Sequence, residues 1–141
     1  MADLATLHTH DAPSAISRLQ DIGIEPFLIS SSLLAVLGQR LLRKTCQVCS
    51  GAGESGAGRC SKCHGTGYSG RIAIYELMPV SDEIRRLTMQ RADAVELAHQ
   101  AQREGMATML ADGRAKIARG LTTETELKRV IHESDADTAG A

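Results

Sequence analysis

CQVCSGAGESGAGRCSKCHGTGYSG, residues 46–70, decides how the rest of the chain is read. It holds every cysteine of the protein, as two Cys-x-x-Cys pairs separated by ten residues. A Cys-x-x-Cys pair brings two thiolates to one metal from a tight knuckle, and a second pair completes a tetrahedral shell of four sulfurs. Zn2+ is borderline-soft and suits that shell, and a closed four-thiolate site leaves no position for a substrate. The expectation is a structural Zn2+ clip with Cys46, Cys49, Cys60 and Cys63 as its ligands. Gly51, Gly53, Gly56, Gly58, Gly65, Gly67 and Gly70 are expected to supply the positive-φ turns and close backbone approach that knuckles need. The alternatives are two disulfides or redox thiols, which the absence of any export signal disfavours. His64 follows Cys63 directly, but four sulfurs already satisfy the metal, so it reads as a surface residue.

Outward from the knuckle, two stretches read as strands. Residues 71–78, RIAIYELM, have strong β character and stop at Pro79. Residues 38–45 could continue a preceding helix, yet a strand there would pair with 71–78 as an antiparallel hairpin whose tip is the metal knuckle. The metal then takes the place of a tight turn and sets the register.

Before the hairpin, Asp11 is expected to cap a helix with Pro13 in its first turn and Ala15, Ile16, Leu19 and Ile22 on one face, stopped at Gly23. A second helix is expected from Glu25-Pro26 through Leu37. Phe27, Leu28, Leu33, Leu34 and Leu37 nearly encircle it, which predicts burial on more than one side. Residues 3–10 look like the end of a strand running into a functional loop, an abrupt opening that suggests further sequence upstream. After Pro79 the pattern is helical throughout. Caps fall at Ser81, Asp93 and Thr122-Thr123, and stops at Gly105 and Gly120, giving a compact helical subdomain. Residues 134–141, SDADTAGA, read as a disordered tail.

Composition narrows the function. The only aromatics are Phe27, Tyr68 and Tyr75, so the core must be Leu, Ile, Val, Ala and Met. Sixteen basic and seventeen acidic residues leave a formal charge of −1, which implies no polyanion partner. No apolar run approaches the roughly 20 residues of a membrane span, and the first residues lack the basic start and apolar stretch of a signal peptide. The expected compartment is the cytoplasm.

A continuous set of short matches then carries a family resemblance. It runs through Thr6-Leu7-His8-Thr9, Asp11-Ala12-Pro13, Gly23-Ile24-Glu25-Pro26-Phe27-Leu28, Ser31-Ser32-Leu33-Leu34 and Gln39-Arg40-Leu41. It goes on through the four cysteines, Gly65-Thr66-Gly67-Tyr68, Ile74-Tyr75-Glu76-Leu77, Glu104-Gly105-Met106, Asp112-Gly113 and Gly120-Leu121-Thr122-Thr123. Across about residues 3–132 the chain resembles the C-terminal part of the ATPases that drive type II secretion and type IV pilus assembly. The resemblance implies an α/β fold. Residues 1–45 would be the C-terminal portion of a RecA-like core, 46–70 the inserted zinc knuckle, and 71–133 a strand plus the helical subdomain. It also implies a homo-hexamer at the cytoplasmic face of the inner membrane, attached there through a platform protein, with ATP and Mg2+ as cofactors of the full-length motor. His8 matches the family's histidine box, near the nucleotide γ-phosphate, where an imidazole can donate to phosphate oxygen. His10 stands where the family usually has Asn, and no role is carried to it.

The chain departs from the family in one decisive respect: no Gly-x-x-x-x-Gly-Lys-Ser/Thr phosphate loop occurs in it. Without backbone amides and a Lys to hold phosphates, the polypeptide alone is expected to hydrolyse no ATP. Two other readings compete. CQVCSGAG and CSKCHGTG both fit Cys-x-x-Cys-x-Gly-x-Gly, similar to the cysteine-rich repeats of Hsp40-type chaperones, though those carry four repeats and a β domain. Arg40, Arg43, Lys44, Arg59, Lys62 and Arg71 around the knuckle would suit nucleic acid, but only Tyr68 is at hand for stacking, and no nucleic-acid partner is expected.

Overall fold

A computed structural model describes the backbone of residues 3–56 and 58–139 and the side chains of these residues up to 131. Its elements in order are α1 (Ala12–Asp21), α2 (Pro26–Ser32), β1 (Ala35–Thr45), β2 (Glu54–Ser55), β3 (Gly58–Arg59), β4 (Tyr68–Pro79), α3 (Asp82–Met89), α4 (Ala94–Arg103), α5 (Met109–Ala118) and α6 (Glu124–Ala139). The chain divides into two compact units. Met1–Gln39 and Tyr75–Met109 form the first, and Arg40–Ile74 and Leu110–Ala141 the second.

The two long strands β1 and β4 pair with each other. Val80 N donates to Leu34 O at 2.9 Å at one end, and Cys46 N to Gly67 O at 2.9 Å at the other, so the strands run antiparallel with the cysteine knuckle between them. The expected hairpin is therefore present. Each strand begins earlier in the chain than the sequence reading placed it, β1 at Ala35 and β4 at Tyr68.

In the first unit the core is Ala12, Ile16, Ile29, Met78, Val80, Ile84, Leu87, Ala92, Leu97 and Ala101, an aliphatic core as the composition requires. Within it α1 packs on α2 and α4, and α3 on α2 and α4. The caps fall where expected: Asp11 accepts from Ser14 N at 2.8 Å, Ser81 from Ile84 N at 3.1 Å and Asp93 from Glu96 N at 2.8 Å. Each satisfies one of the orphan donors that open a helix.

The second helix corrects the sequence reading. It ends at Ser32 rather than Leu37, and Phe27, Leu28, Leu34 and Leu37 are all more than half exposed. The cause is local competition for carbonyls. Ser30 Oγ donates to Phe27 O at 3.1 Å, Ser31 Oγ to Leu28 O at 3.3 Å, and Ser32 Oγ also to Leu28 O. Such bonding back along the helix weakens it. Leu34 is then taken into the ladder by Val80.

Glu76 pins the first unit from inside. It lies on the buried face of β4 between Ile74 and Met78, and only 6% of its surface is exposed. One carboxylate oxygen accepts from Ala12 N, the first residue of α1, at 2.6 Å, and the other from Met109 N, the first residue of α5, at 3.2 Å. A negative charge set at two helix N-termini is favoured by both macrodipoles. Gly38 makes room for it: a Cβ there would sit 3.0 Å from Glu76 Cγ.

In the second unit α5 and α6 pack closely at Gly113, where a Cβ would run into Leu127 Cδ1. Thr123 Oγ1 caps α6 by accepting from Glu126 N at 3.2 Å. Of the tail expected at 134–141, residues 140 and 141 lie outside the described residues, and the backbone of α6 runs to Ala139. Residues 3–9 are neither helix nor strand, so the strand end expected there is absent.

Candidate metal centre

Two sequence-similar knuckles, offset by fourteen residues, fold as near copies of each other. In each, the residue after the second cysteine takes a left-handed conformation, Ser50 at φ 51° and His64 at φ 52°. Gly51 and Gly65 follow at φ 85° and 86°, and Gly53 and Gly67 both stand at φ 80°. The hydrogen bonds repeat too. Ala52 N donates to Cys49 O at 3.0 Å, and Thr66 N to Cys63 O at 3.1 Å. Gly53 N donates to Cys49 Sγ at 3.3 Å, and Gly67 N to Cys63 Sγ at 3.2 Å.

The halves lock together through glycine. A Cβ on Gly53 would lie 2.6 Å from Gly65 O, and one on Gly67 would lie 2.5 Å from Gly51 O. Only glycine permits that approach. Gly58, expected to share the positive φ, instead stands in β3 without it.

All four cysteines are buried and free, and their sulfurs lie within 4.8 Å of one another, a group that can hold a metal ion. Cys46 Sγ is 3.9 Å from Cys60 Sγ, and Cys49 Sγ is 3.7 Å from Cys63 Sγ. Metal–sulfur bonds of about 2.3 Å in a tetrahedron give sulfur–sulfur edges of about 3.8 Å. The donor set therefore fits a tetrahedral thiophilic cation. His64 is exposed and outside the group.

Protons are held unevenly by the bare thiols. Burial pushes Cys49 up to about 11, against the N–H it accepts from Gly53. Burial also opposes ionisation of Cys63, but the N–H of Gly67 and the neighbouring thiols bring it down to about 6. The backbone N–H of Cys49 lowers Cys46, against its desolvation. A bound metal takes all four as thiolates and releases the remaining protons.

Around the base of the knuckle lie residues that motif reading missed as functional. Arg43 N and Arg43 Nε both donate to the Glu126 carboxylate at 2.9 Å, and the Arg43 guanidinium carbon sits 4.4 Å from the Tyr68 ring centre. Tyr68 Oη meets Thr123 Oγ1 at 2.7 Å. The one aromatic near the knuckle is thus engaged internally, which weakens the stacking role that a nucleic-acid reading needs. Glu126 is fully buried, and its carboxyl is drawn down to about 2, most by Arg129 and then by Arg43, against desolvation. No local sequence signal marked Glu126 or Glu76, because their partners Arg43 and Ala12 lie far along the chain.

His8 belongs to the first unit, where it is exposed, and the cysteines to the second. Among the described residues no helix is long and apolar enough to cross a membrane.

Comparison with known proteins places this arrangement. The family model described as "Type II/IV secretion system protein" matches residues 2–129. The chain is 48% identical over 133 residues to the type II secretion system protein HxcR of Pseudomonas aeruginosa, covering 93% of this chain and 28% of that protein. It is 42% identical over 151 residues to the type IV pilus assembly ATPase PilB of Thermus thermophilus, covering 91% of this chain and 17% of that protein. The fold is similar to that of the pilus retraction motor PilT, solved with bound ADP, at a TM-score of 0.59 and 24% identity over 89% of this chain and 31% of that one. It is similar also to the Legionella pneumophila ATPase DotB, at a TM-score of 0.58 and 17% identity over 92% of this chain and 31% of that one. The chain thus spans less than a third of the length of each of these proteins.

Proposed function

Because the chain belongs to the type II/IV secretion system protein family, we propose that it works as the C-terminal segment of a motor ATPase for protein secretion or pilus assembly. The observation that carries this is likeness on both sides of the cysteine knuckle to proteins named for those tasks. In this reading residues 1–45 complete a RecA-like ATPase core, and six copies form a ring on the cytoplasmic face of the inner membrane. The ring reaches the membrane through a platform protein and extrudes a pilus or pseudopilus. Identities to the two branches overlap, 38–48% for type II secretion proteins and 35–42% for pilus assembly ATPases, and secretion is the branch taken first.

Cys46, Cys49, Cys60 and Cys63 would hold Zn2+ as a structural ion, supplying a cross-link between β1 and β4 and no chemistry on substrate. The mutual distances of the sulfurs and their N–H donors support that assignment. His8 would face the nucleotide γ-phosphate in the assembled motor, and its exposure leaves it available for that contact. ATP and Mg2+ belong to the longer protein, since this chain has no phosphate loop.

A chimera tests the reading. The matched segment of HxcR is replaced by this chain, and secretion is measured in Pseudomonas aeruginosa lacking its own HxcR. Restored secretion is the expected result. A stable, correctly expressed chimera that secretes nothing contradicts the assignment.

A further inference from the structure

The two ends of the knuckle are treated differently by the fold. At its far end, Glu54 and Arg59 pair with each other in a two-residue hairpin, β2 with β3. By the fourteen-residue offset, their counterparts at the near end are Tyr68 and Thr45. Those two are gripped in addition by the turn that opens α6. Thr45 N donates to Leu121 O at 3.0 Å, and Tyr68 Oη meets Thr123 Oγ1 at 2.7 Å. Two residues before Thr45, Arg43 O accepts from Thr122 Oγ1 at 2.9 Å, and Arg43 N and Nε reach Glu126. Thr122 and Glu126 are buried. All of these residues lie in the second unit.

Thr45 and Tyr68 are where the chain enters and leaves the metal site: Thr45 precedes Cys46, and Tyr68 follows Gly67, which donates to Cys63 Sγ. Four thiolates in one shell repel one another, so ligand convergence must be held by the scaffold as well as by the ion. A buried carboxylate costs desolvation that only well-placed donors offset, and Glu126 has them from Arg43 and Arg129.

We propose that Tyr68 and Arg43, held by Thr123 and Glu126 at the start of α6, act as positioning residues that keep Cys46 and Cys63 converged. Metal affinity then depends on side chains that touch no metal, and metal binding in turn tightens the start of α6, because linkage is reciprocal. The inference rests on reading the four thiols as a metal centre.

The test uses the purified full chain and measures Zn2+ affinity by competition with a chromophoric chelator, with circular dichroism to verify folding. Tyr68→Phe and Glu126→Gln are each expected to bind roughly tenfold more weakly, and the double variant roughly a hundredfold, the range that outer residues of metal sites command. Lys128→Gln, which removes an exposed pair with Glu124 on the same helix, is expected to bind like wild type. Stripping Zn2+ from the wild type should speed amide exchange at Glu126 and Leu127 at least tenfold. If Glu126→Gln does not fold, Tyr68→Phe decides alone, since it removes a single hydroxyl. Folded variants with wild-type affinity overturn the clamp while leaving the metal centre intact. A wild-type chain that binds no Zn2+ overturns both.

Discussion

Gly67 and Gly70 form a natural pair for separating two effects that glycine usually confounds. Both stand at nearly the same positive φ, 80° and 82°. A Cβ on Gly70 would meet nothing within 4 Å, whereas one on Gly67 would lie 2.5 Å from Gly51 O and 3.2 Å from Gly51 C. Alanine at either position bears the left-handed penalty of roughly 1–2 kcal/mol. At Gly67 the methyl group also meets backbone of the facing knuckle, which cannot rotate away, and overpacking of that kind adds roughly 1–3 kcal/mol. The prediction is that Gly70→Ala costs about 1 kcal/mol and Gly67→Ala about 3 kcal/mol or more. Gly53→Ala, 2.6 Å from Gly65 O, should behave like Gly67→Ala. Urea unfolding of the metal-loaded proteins reads the difference, and zinc content after dialysis reads its effect on the site. Equal cost for Gly67→Ala and Gly70→Ala would refute the claim that close approach of the two knuckles, rather than backbone conformation, demands glycine.

Further outcomes follow from the same physical reading. Glu76→Ala leaves the first amides of α1 and α5 without their acceptor and should lower stability by about 3 kcal/mol, from two orphaned donors, measured by urea midpoint. Glu126, with a carboxyl near 2 in the folded chain against an ordinary value of 4.5, contributes stability in full above about pH 4.5. That contribution is lost as pH falls from there toward 2; the shift corresponds to at most about 3 kcal/mol, reduced to about 2 because Arg43 and Arg129 are partly solvated. Acid titration should show Glu126→Gln without this component, and parallel wild-type and variant curves would contradict it. Gly113→Ala should destabilise by roughly 1–2 kcal/mol despite alanine's better helix propensity, since Leu127 fills the space, and a rise in thermal midpoint would count against that packing. The purified chain should show no magnesium-dependent ATP turnover above background in a phosphate-release assay.

Features set by local chemistry were legible in the sequence. Asp11, Ser81 and Asp93 cap helices because their side chains reach amides three residues on, and the sequence states both partners. The convergence of the four cysteines was readable because two Cys-x-x-Cys pairs ten residues apart can close on one point. The stretch 33–37 misled because a leucine-rich run has no periodicity of its own to separate helix from strand. Three consecutive serines bonding backward and a long-range bond from Val80 decided it. Glu76 and Glu126 were invisible as functional residues because their partners lie 64 and 83 residues away, Ala12 and Arg43. The division into units was equally hidden. The boundary falls just inside α5, with Met109 in the first unit and Leu110 in the second.

Cys46, Cys49, Cys60 and Cys63, buried with their sulfurs within 4.8 Å of one another, form the proposed metal centre. Elemental analysis of the purified chain, paired with thiol titration under native conditions, decides whether it holds an ion. One zinc per chain is expected, with thiols unreactive until a chelator or denaturant is added. A folded chain free of metal, with its four thiols titrating at once, would contradict it.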